Sequence, residues 1–250
     1  MAGERADWAG IWEETAFDRD ADAKEEATPR WRAQERIVRE DLGGFDSLAV
    51  IEIGAGRGLN AMLYGKRGAD VTLLDVEDVA LEQAARVYGD HALSFTPVRG
   101  DVFDLPADLL GRFDVSMSFG LCEHFAGETR TDVISAHLRL LRPGGIAMIG
   151  VPNRLSPVYR LWKAALERRG SWPFGTEIPY TAAELSRRGR AAGGEPLAPA
   201  YGSFASSFVG HGVNQVLYKL GHKGLPLPQL QLPLLDRMAY ELLVPIRRTT

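Results

Sequence analysis

A chain of 250 residues, 45% apolar and 25% charged, has the length to bury one large α/β domain and falls outside the disordered and fibrous classes. A formal charge of −4 supplies no global field to gather nucleic acid or anionic lipid, although a local basic patch fits within that balance. The start, Met1 to Trp8, lacks the basic-then-apolar order of a signal peptide, and no apolar run is long enough to span a bilayer, so a cytoplasmic protein is expected. Cys122 is the single cysteine, which excludes an intrachain disulfide or a cysteine-based zinc site and suits a small buried hydrophobe.

In chain order, Thr28 followed by Pro29 reads as an N-cap with a first-turn proline. Trp31, Val38 and Leu42 share one helical face, and Gly43-Gly44 closes the helix, so residues 1–44 are expected as a helical cap. From 45 onward, short β-rich runs alternate with helical patterns. Leu48 to Ile53, Val71 to Leu74, Phe95 to Val98, Phe113 to Phe119 and Ile146 to Val151 are strand candidates. Helices are expected to open at Ala61, over Leu81 to Tyr88, and along the Val133, Ile134, His137, Leu138, Leu141 stripe. Such alternation predicts a mostly parallel sheet with helices on both faces.

Residues 154–180 mix aromatics with Pro and Gly and read as an irregular lid. Thr181 to Glu184 is a capping box, and Met238 to Ile246 a candidate final strand. Pro226, Pro228 and Pro233 interrupt the 202–236 stretch, which is taken as a second insertion. Trp8, Trp12 and Phe17 before the core, and Tyr159, Trp162, Trp172 and Tyr180 after it, offer an apolar closure of a pocket; ordinary packing is the alternative for each.

The chemistry starts at Glu52-Ile53-Gly54-Ala55-Gly56-Arg57-Gly58, where glycines at alternate positions end a strand and open a helix. Missing side chains allow positive φ and close approach of a ligand, and free amides at the new helix favour an anionic group. Asp75 ends the next strand 21 residues after Gly54, where an acid accepts hydrogen bonds from a ribose; alone it is also a solvated strand end. Ser118 to Phe125 follows the fourth strand, at the edge where open α/β sheets bind ligands. Within it His124, whose ordinary pKa is about 6.5, is the candidate general base, with Glu123 beside it. The alternative, which carries more weight, is that the pair only hydrogen-bonds backbone and shapes the pocket.

These residues resemble the class I S-adenosylmethionine-dependent methyltransferases. The acid-and-glycine motif at 52–58, Asp75, Gly100-Asp101-Val102, Phe113-Asp114-Val115 and Leu141 to Gly145 stand in the family's order over residues 48–153. The resemblance implies a Rossmann-like fold with a seven-stranded, mostly parallel sheet, covering 45–250 with insertions at about 154–180 and 202–236. It also implies S-adenosylmethionine as cofactor and S-adenosylhomocysteine as product. Glu52, Gly54, Ala55, Gly56 and Gly58 would hold the methionine end, Asp75 and Val76 the ribose, Asp101 and Val102 the adenine, with Phe119 beside the cofactor. A metal is not expected, because the position where some relatives add a glutamate is Gly120.

The implied acceptor is a small metabolite or natural product, methylated at oxygen, nitrogen or carbon by a monomer or homodimer, without nucleic acid or membrane. Arg168-Arg169 and Arg187-Arg188-Gly189-Arg190 lie on or beside helices and suit solvated faces better than phosphate contacts. A macromolecular acceptor, an NAD(P)-dependent oxidoreductase and a catalytically silent cofactor-binding protein stay open as rivals. The dehydrogenase would space its third glycine differently.

Overall fold

A computed structural model describes residues 6–14 and 20–249; Phe17 lies outside them. Eight strands form one sheet: β1 (Ala49–Ile53), β2 (Asp70–Asp75), β3 (Thr96–Arg99), β4 (Phe113–Phe119), β5 (Leu141–Pro152), β6 (Gly194–Pro196), β7 (Ala200–Tyr201) and β8 (Glu241–Arg248). Their order is β3-β2-β1-β4-β5-β8-β6, with β7 also pairing β8. β1 to β5 run parallel and β8 enters antiparallel beside β5. The seven-strand path is therefore present, and the two-residue β7 is added to it. The order reverses between β1 and β4, which opens a crevice at the carboxyl ends of those strands.

Alternation along β1 explains the layering. Val50 packs with α3 (Pro29–Asp41), α4 (Leu59–Gly65) and α5 (Asp78–Asp90) through Val38, Met62 and Leu81. Ile51 and Ile53 point the other way, into a cluster with α6 (Thr129–Leu140) and α8 (Ala182–Ala191) through Val133, Ile134 and Leu185. The helix start signals act locally as their chemistry dictates. The Thr28 hydroxyl accepts the Trp31 amide at 3.0 Å and the Thr181 hydroxyl accepts the Glu184 amide at 3.1 Å. Two further helices, α1 (Trp8–Glu14) and α2 (Ala21–Glu26), precede α3.

Several boundaries differ from expectation. α4 starts at Leu59, and β5 starts at Leu141 rather than Ile146 because Leu141 already pairs with Phe113, before an irregular stretch with Gly144 at φ +82° that regains register at Ile146 opposite Val115. The 154–180 lid is not wholly irregular, since Pro157 occupies the first turn of an eleven-residue helix, α7 (Pro157–Glu167), where a missing amide is harmless. The second insertion holds α9 (Phe204–Phe208) and α10 (Asn214–Lys219), joined through a π-turn, and then α11 (Pro233–Asp236). Between α10 and α11 the prolines keep the chain extended and leave Leu225, Leu227 and Leu230 exposed. The last strand begins at Glu241, after a turn over 237–240. No helix among the described residues is long and apolar enough to cross a membrane. Cys122 is fully buried, and burial pushes its thiol up to about 12.

Candidate functional site

The glycine turn sits at the reversal point of the sheet. Gly56 has φ +53°, and a Cβ there would lie 2.3 Å from the Trp12 ring of α1. Gly58, at φ +65°, caps α4, and a Cβ there would meet Leu73 at 2.5 Å, while its carbonyl accepts the Tyr88 hydroxyl. Several amides of the turn, and Ala61 in the new helix, have internal acceptors. Ala55 donates to the Leu74 carbonyl, Gly56 to Asp75, Gly58 to the Ala55 carbonyl and Ala61 to Glu52. The turn is thus braced by its own chain, and the contribution of the glycines is chiefly close approach rather than amide donation.

A cavity of about 1110 Å³ opens beside this turn. Of the residues singled out from sequence, Glu52, Gly54, Ala55, Asp75, Val76, Asp101, Val102, Phe119, Glu123 and His124 line it. Gly56 and Gly58 do not: Trp12 covers the first, and Leu73 with Tyr88 packs against the second. Glu52 is buried, accepts the Ala61 amide at 2.9 Å and a bond from the Asn60 side chain, and burial still pushes it up to about 8. Asn60 was not expected. Its Oδ1 is buried, lines the same cavity with the rest of its side chain, and has no hydrogen-bond partner among the described residues. An unpaired acceptor beside a buried carboxyl suits the ammonium of an amino-acid tail. Asp75 and Asp101 keep acceptor capacity beyond the amides of Gly56, Glu77 and Phe103 that they already accept. These donor and acceptor sets fit an adenosyl amino acid such as S-adenosylmethionine.

At the other side of the cavity, a 3₁₀ turn over Cys122–His124 follows β4. His124 Nδ1 lies 2.9 Å from the Thr176 carbonyl, which only accepts; the ring proton therefore sits on Nδ1 and Nε2 carries the lone pair. Burial holds this imidazole below its usual pKa, against the raising effect of the Thr176 and Gly120 carbonyls. Glu123 is 2% exposed, and burial pushes it up to about 8. Facing the pair, Glu177 lines the cavity, accepts the Tyr159 hydroxyl, and is pushed up to about 7 by burial. Glu177 falls in the expected lid and Tyr240 in the expected final strand, but no motif marked either as a site residue.

The aromatic closure is partly as expected. Trp8 meets the His124 ring edge-on at 4.9 Å and stacks near Phe174 at 6.3 Å, so α1 covers the cavity mouth. Trp172 and Trp162 continue behind Phe174, and Tyr159, His211 and Tyr240 follow. Only Trp8, Trp12, Phe174 and Tyr240 of this set line the cavity. Tyr180 packs under Arg130 and donates to the Cys122 carbonyl, away from it. Arg168, Arg169, Arg187 and Arg190 are exposed, and Arg188 is held by Glu184 and Thr131.

Residues 50–145 match the family described as Methyltransferase domain, and the fold is that of the class I, S-adenosylmethionine-dependent methyltransferases. A ubiquinone biosynthesis O-methyltransferase of Caulobacter vibrioides is 29% identical over 149 residues, covering 57% of this chain and 58% of that protein. The chain thus spans little more than half the length of that relative. Among solved structures, magnesium protoporphyrin IX methyltransferase from Synechocystis, with S-adenosylhomocysteine bound, superposes with a TM-score of 0.62 at 13% identity, over 97% of this chain and 93% of that one. A 1,6-didemethyltoxoflavin N1-methyltransferase of Burkholderia thailandensis gives 0.56 at 18% identity, over 98% and 83%. At such identities these two establish the shared fold.

Proposed function

We propose that this protein transfers a methyl group from S-adenosylmethionine to an oxygen, nitrogen or carbon of a small-molecule acceptor. The observation that carries the reading is a single cavity shared by two sets of groups. Glu52, Gly54, Ala55, Asn60, Asp75 and Asp101 line one part, and Glu123, His124 and Glu177 line another. The cofactor, when bound, supplies a methyl made electrophilic by its sulfonium. This chain's residues hold it and position the acceptor: Glu52 and Asn60 take the amino-acid end, Asp75 and Val76 the ribose, and Asp101 and Val102 the adenine. Alignment of acceptor and methyl accounts for much of the acceleration in such an in-line displacement. His124, with its lone pair on Nε2, accepts the proton of a neutral hydroxyl or amine as the new bond forms. Trp8 and Phe174 close the mouth and limit water.

The same reading takes the protein to be cytoplasmic and a monomer or homodimer, acting without nucleic acid, as a lone unpaired cysteine and the acidic charge balance favour. Two measurements test it. Calorimetric titration with S-adenosylhomocysteine is expected to give saturable heat, and mass spectrometry of metabolite mixtures incubated with labelled cofactor is expected to show a product heavier by one methyl. Absence of any heat with folded protein sinks the proposal.

A further inference from the structure

The acceptor side of the cavity has an electrostatic character that narrows what enters it. Glu123 is 2% exposed and lines the cavity, and its Oε2 has no hydrogen-bond partner among the described residues. Glu177 is brought next to it by the backbone, since the Ile178 amide donates to the Glu123 carbonyl at 2.7 Å. The two carboxyls are close enough that the charge of Glu177 makes Glu123 harder to ionise, and both act the same way on the Tyr240 phenol. Burial holds Glu123 at about 8 and Glu177 at about 7, so near neutral pH the pair keeps protons that a bound cation would displace.

The neighbouring cations compensate the pair only in part: Arg130 eases the ionisation of Glu123, but burial outweighs it. Arg130 is engaged by Glu184, by the Phe125 and Ile178 carbonyls and by the Tyr180 ring. Lys163 pairs with Glu167 and lies 4.8 Å from the Trp172 ring centroid. Arg30 is held by Glu25 and Glu241. Arg57 is the arginine in the cavity lining, and it sits beside Gln83 and Trp12, on the glycine-turn side. The rest of this part of the lining includes His124, whose burial favours the neutral ring, and the aromatics Trp8, Phe119, Phe125, Phe174 and Tyr240. Ring faces attract cations and reject anions.

We infer that the acceptor carries a basic nitrogen, held as an amine or ammonium between Glu123 and Glu177, with its apolar body against the surrounding rings. A carboxylate-bearing acceptor would bring a third acid beside two whose ionisation burial already opposes. A neutral alcohol would satisfy one oxygen but supply no positive charge to pair with an ionised carboxylate. This inference rests on the methyltransferase reading, because it concerns the acceptor half of the same site.

The test uses the full chain saturated with S-adenosylhomocysteine, near neutral pH, and three probes of one shape: phenethylamine, phenethyl alcohol and phenylacetate. Ligand-observed NMR titration measures affinity for each. The amine is expected to bind about tenfold or more tighter than the alcohol, and phenylacetate weakest, as a charge-assisted bond predicts. In Glu177→Gln the advantage of the amine should shrink about tenfold while the affinity for S-adenosylhomocysteine stays as in the wild type. Equal binding of alcohol and amine, preference for phenylacetate, no amine binding, or an unchanged amine affinity in Glu177→Gln each overturns the inference. Failure to bind S-adenosylhomocysteine instead removes the methyltransferase reading, so the two failures are told apart. The three-probe comparison on the wild type stands even where the variant does not fold.

Discussion

The Asp75 carboxylate accepts the Gly56 amide at 2.8 Å, which ties the end of β2 to the turn that follows β1. Its other oxygen accepts the Glu77 amide at 3.0 Å. Burial raises its pKa, and the amides of Glu77, Gly56 and Val76 oppose that rise. One carboxylate therefore shapes the turn, and in the proposed cofactor site its remaining lone pairs are the ones assigned to the ribose. Asp75→Asn turns an acceptor into a donor beside amides that need acceptors. It is expected to cost about 1–3 kcal/mol of stability and to weaken S-adenosylhomocysteine by about tenfold or more. Denaturant midpoints and calorimetry read the two effects separately, and an unchanged dissociation constant would take Asp75 off the cofactor.

Gly56 supports a second prediction, because a Cβ at this position faces two obstacles. The backbone is left-handed at φ +53°, and the Trp12 ring stands 2.3 Å from the new atom. Left-handed strain alone is about 1–2 kcal/mol, and the Trp12 clash adds to it. In a double-mutant cycle with Trp12→Ala, Gly56→Ala should destabilise less than in the wild type, since only the strain remains. Equal losses in both backgrounds would show that Trp12 does not rest on the turn in solution.

The pH dependence of stability follows from two buried groups of opposite sign. Glu52 is pushed by burial up to about 8 from 4.5, so between those values the native state keeps a proton that the unfolded chain has released. Stability therefore falls as pH rises through that window. His137, fully buried, is pushed down to about 3 from 6.5, so the unfolded chain binds the extra proton and stability falls as pH drops below 6.5. Glu52→Gln should gain on the wild type by on the order of 1 kcal/mol or more between mildly acidic pH and about pH 9. Paired denaturation curves at the two ends measure this, and a parallel pair of pH profiles would contradict it.

What the sequence disclosed, and what it did not, divides along physical lines. The strands at 49–53 and 113–119 and the caps at Thr28 and Thr181 were legible because local chemistry sets them: β-rich apolar runs, and a hydroxyl placed to take one amide. The 52–58 turn, Asp75 and His124 were legible because sheet topology delivers them to one edge. Asn60 was hidden among helix-forming neighbours, with only its unpaired buried oxygen to mark it. Glu177 reaches the site through a loop whose path is fixed by a long-range bond from Ile178 to Glu123, and α7 was obscured by the aromatics and glycines around it. The occupied amides of Ala55, Gly56 and Gly58 are likewise tertiary facts, since their acceptors include Leu74 and Asp75 on a different strand.

His124 carries the sharpest catalytic prediction. Its Nδ1 proton is committed to the Thr176 carbonyl, burial keeps the ring neutral near pH 7, and Nε2 is left as an acceptor. If that nitrogen takes the acceptor's proton, His124→Ala lowers kcat by about 100-fold or more with little change in S-adenosylhomocysteine affinity. A purely supporting role predicts a different pattern. His124→Asn retains a donor directed at Thr176 but lacks a basic nitrogen, so it restores activity if the ring merely props the loop and leaves the defect if the ring is the base. The pH–rate profile adds a second readout: the wild type should lose activity on an acid limb set by an imidazole titrating below its ordinary value, and both variants should lack that limb. Recovery of full turnover in His124→Asn would assign the proton to water or to Glu123 and leave His124 as the prop of the 176–178 loop.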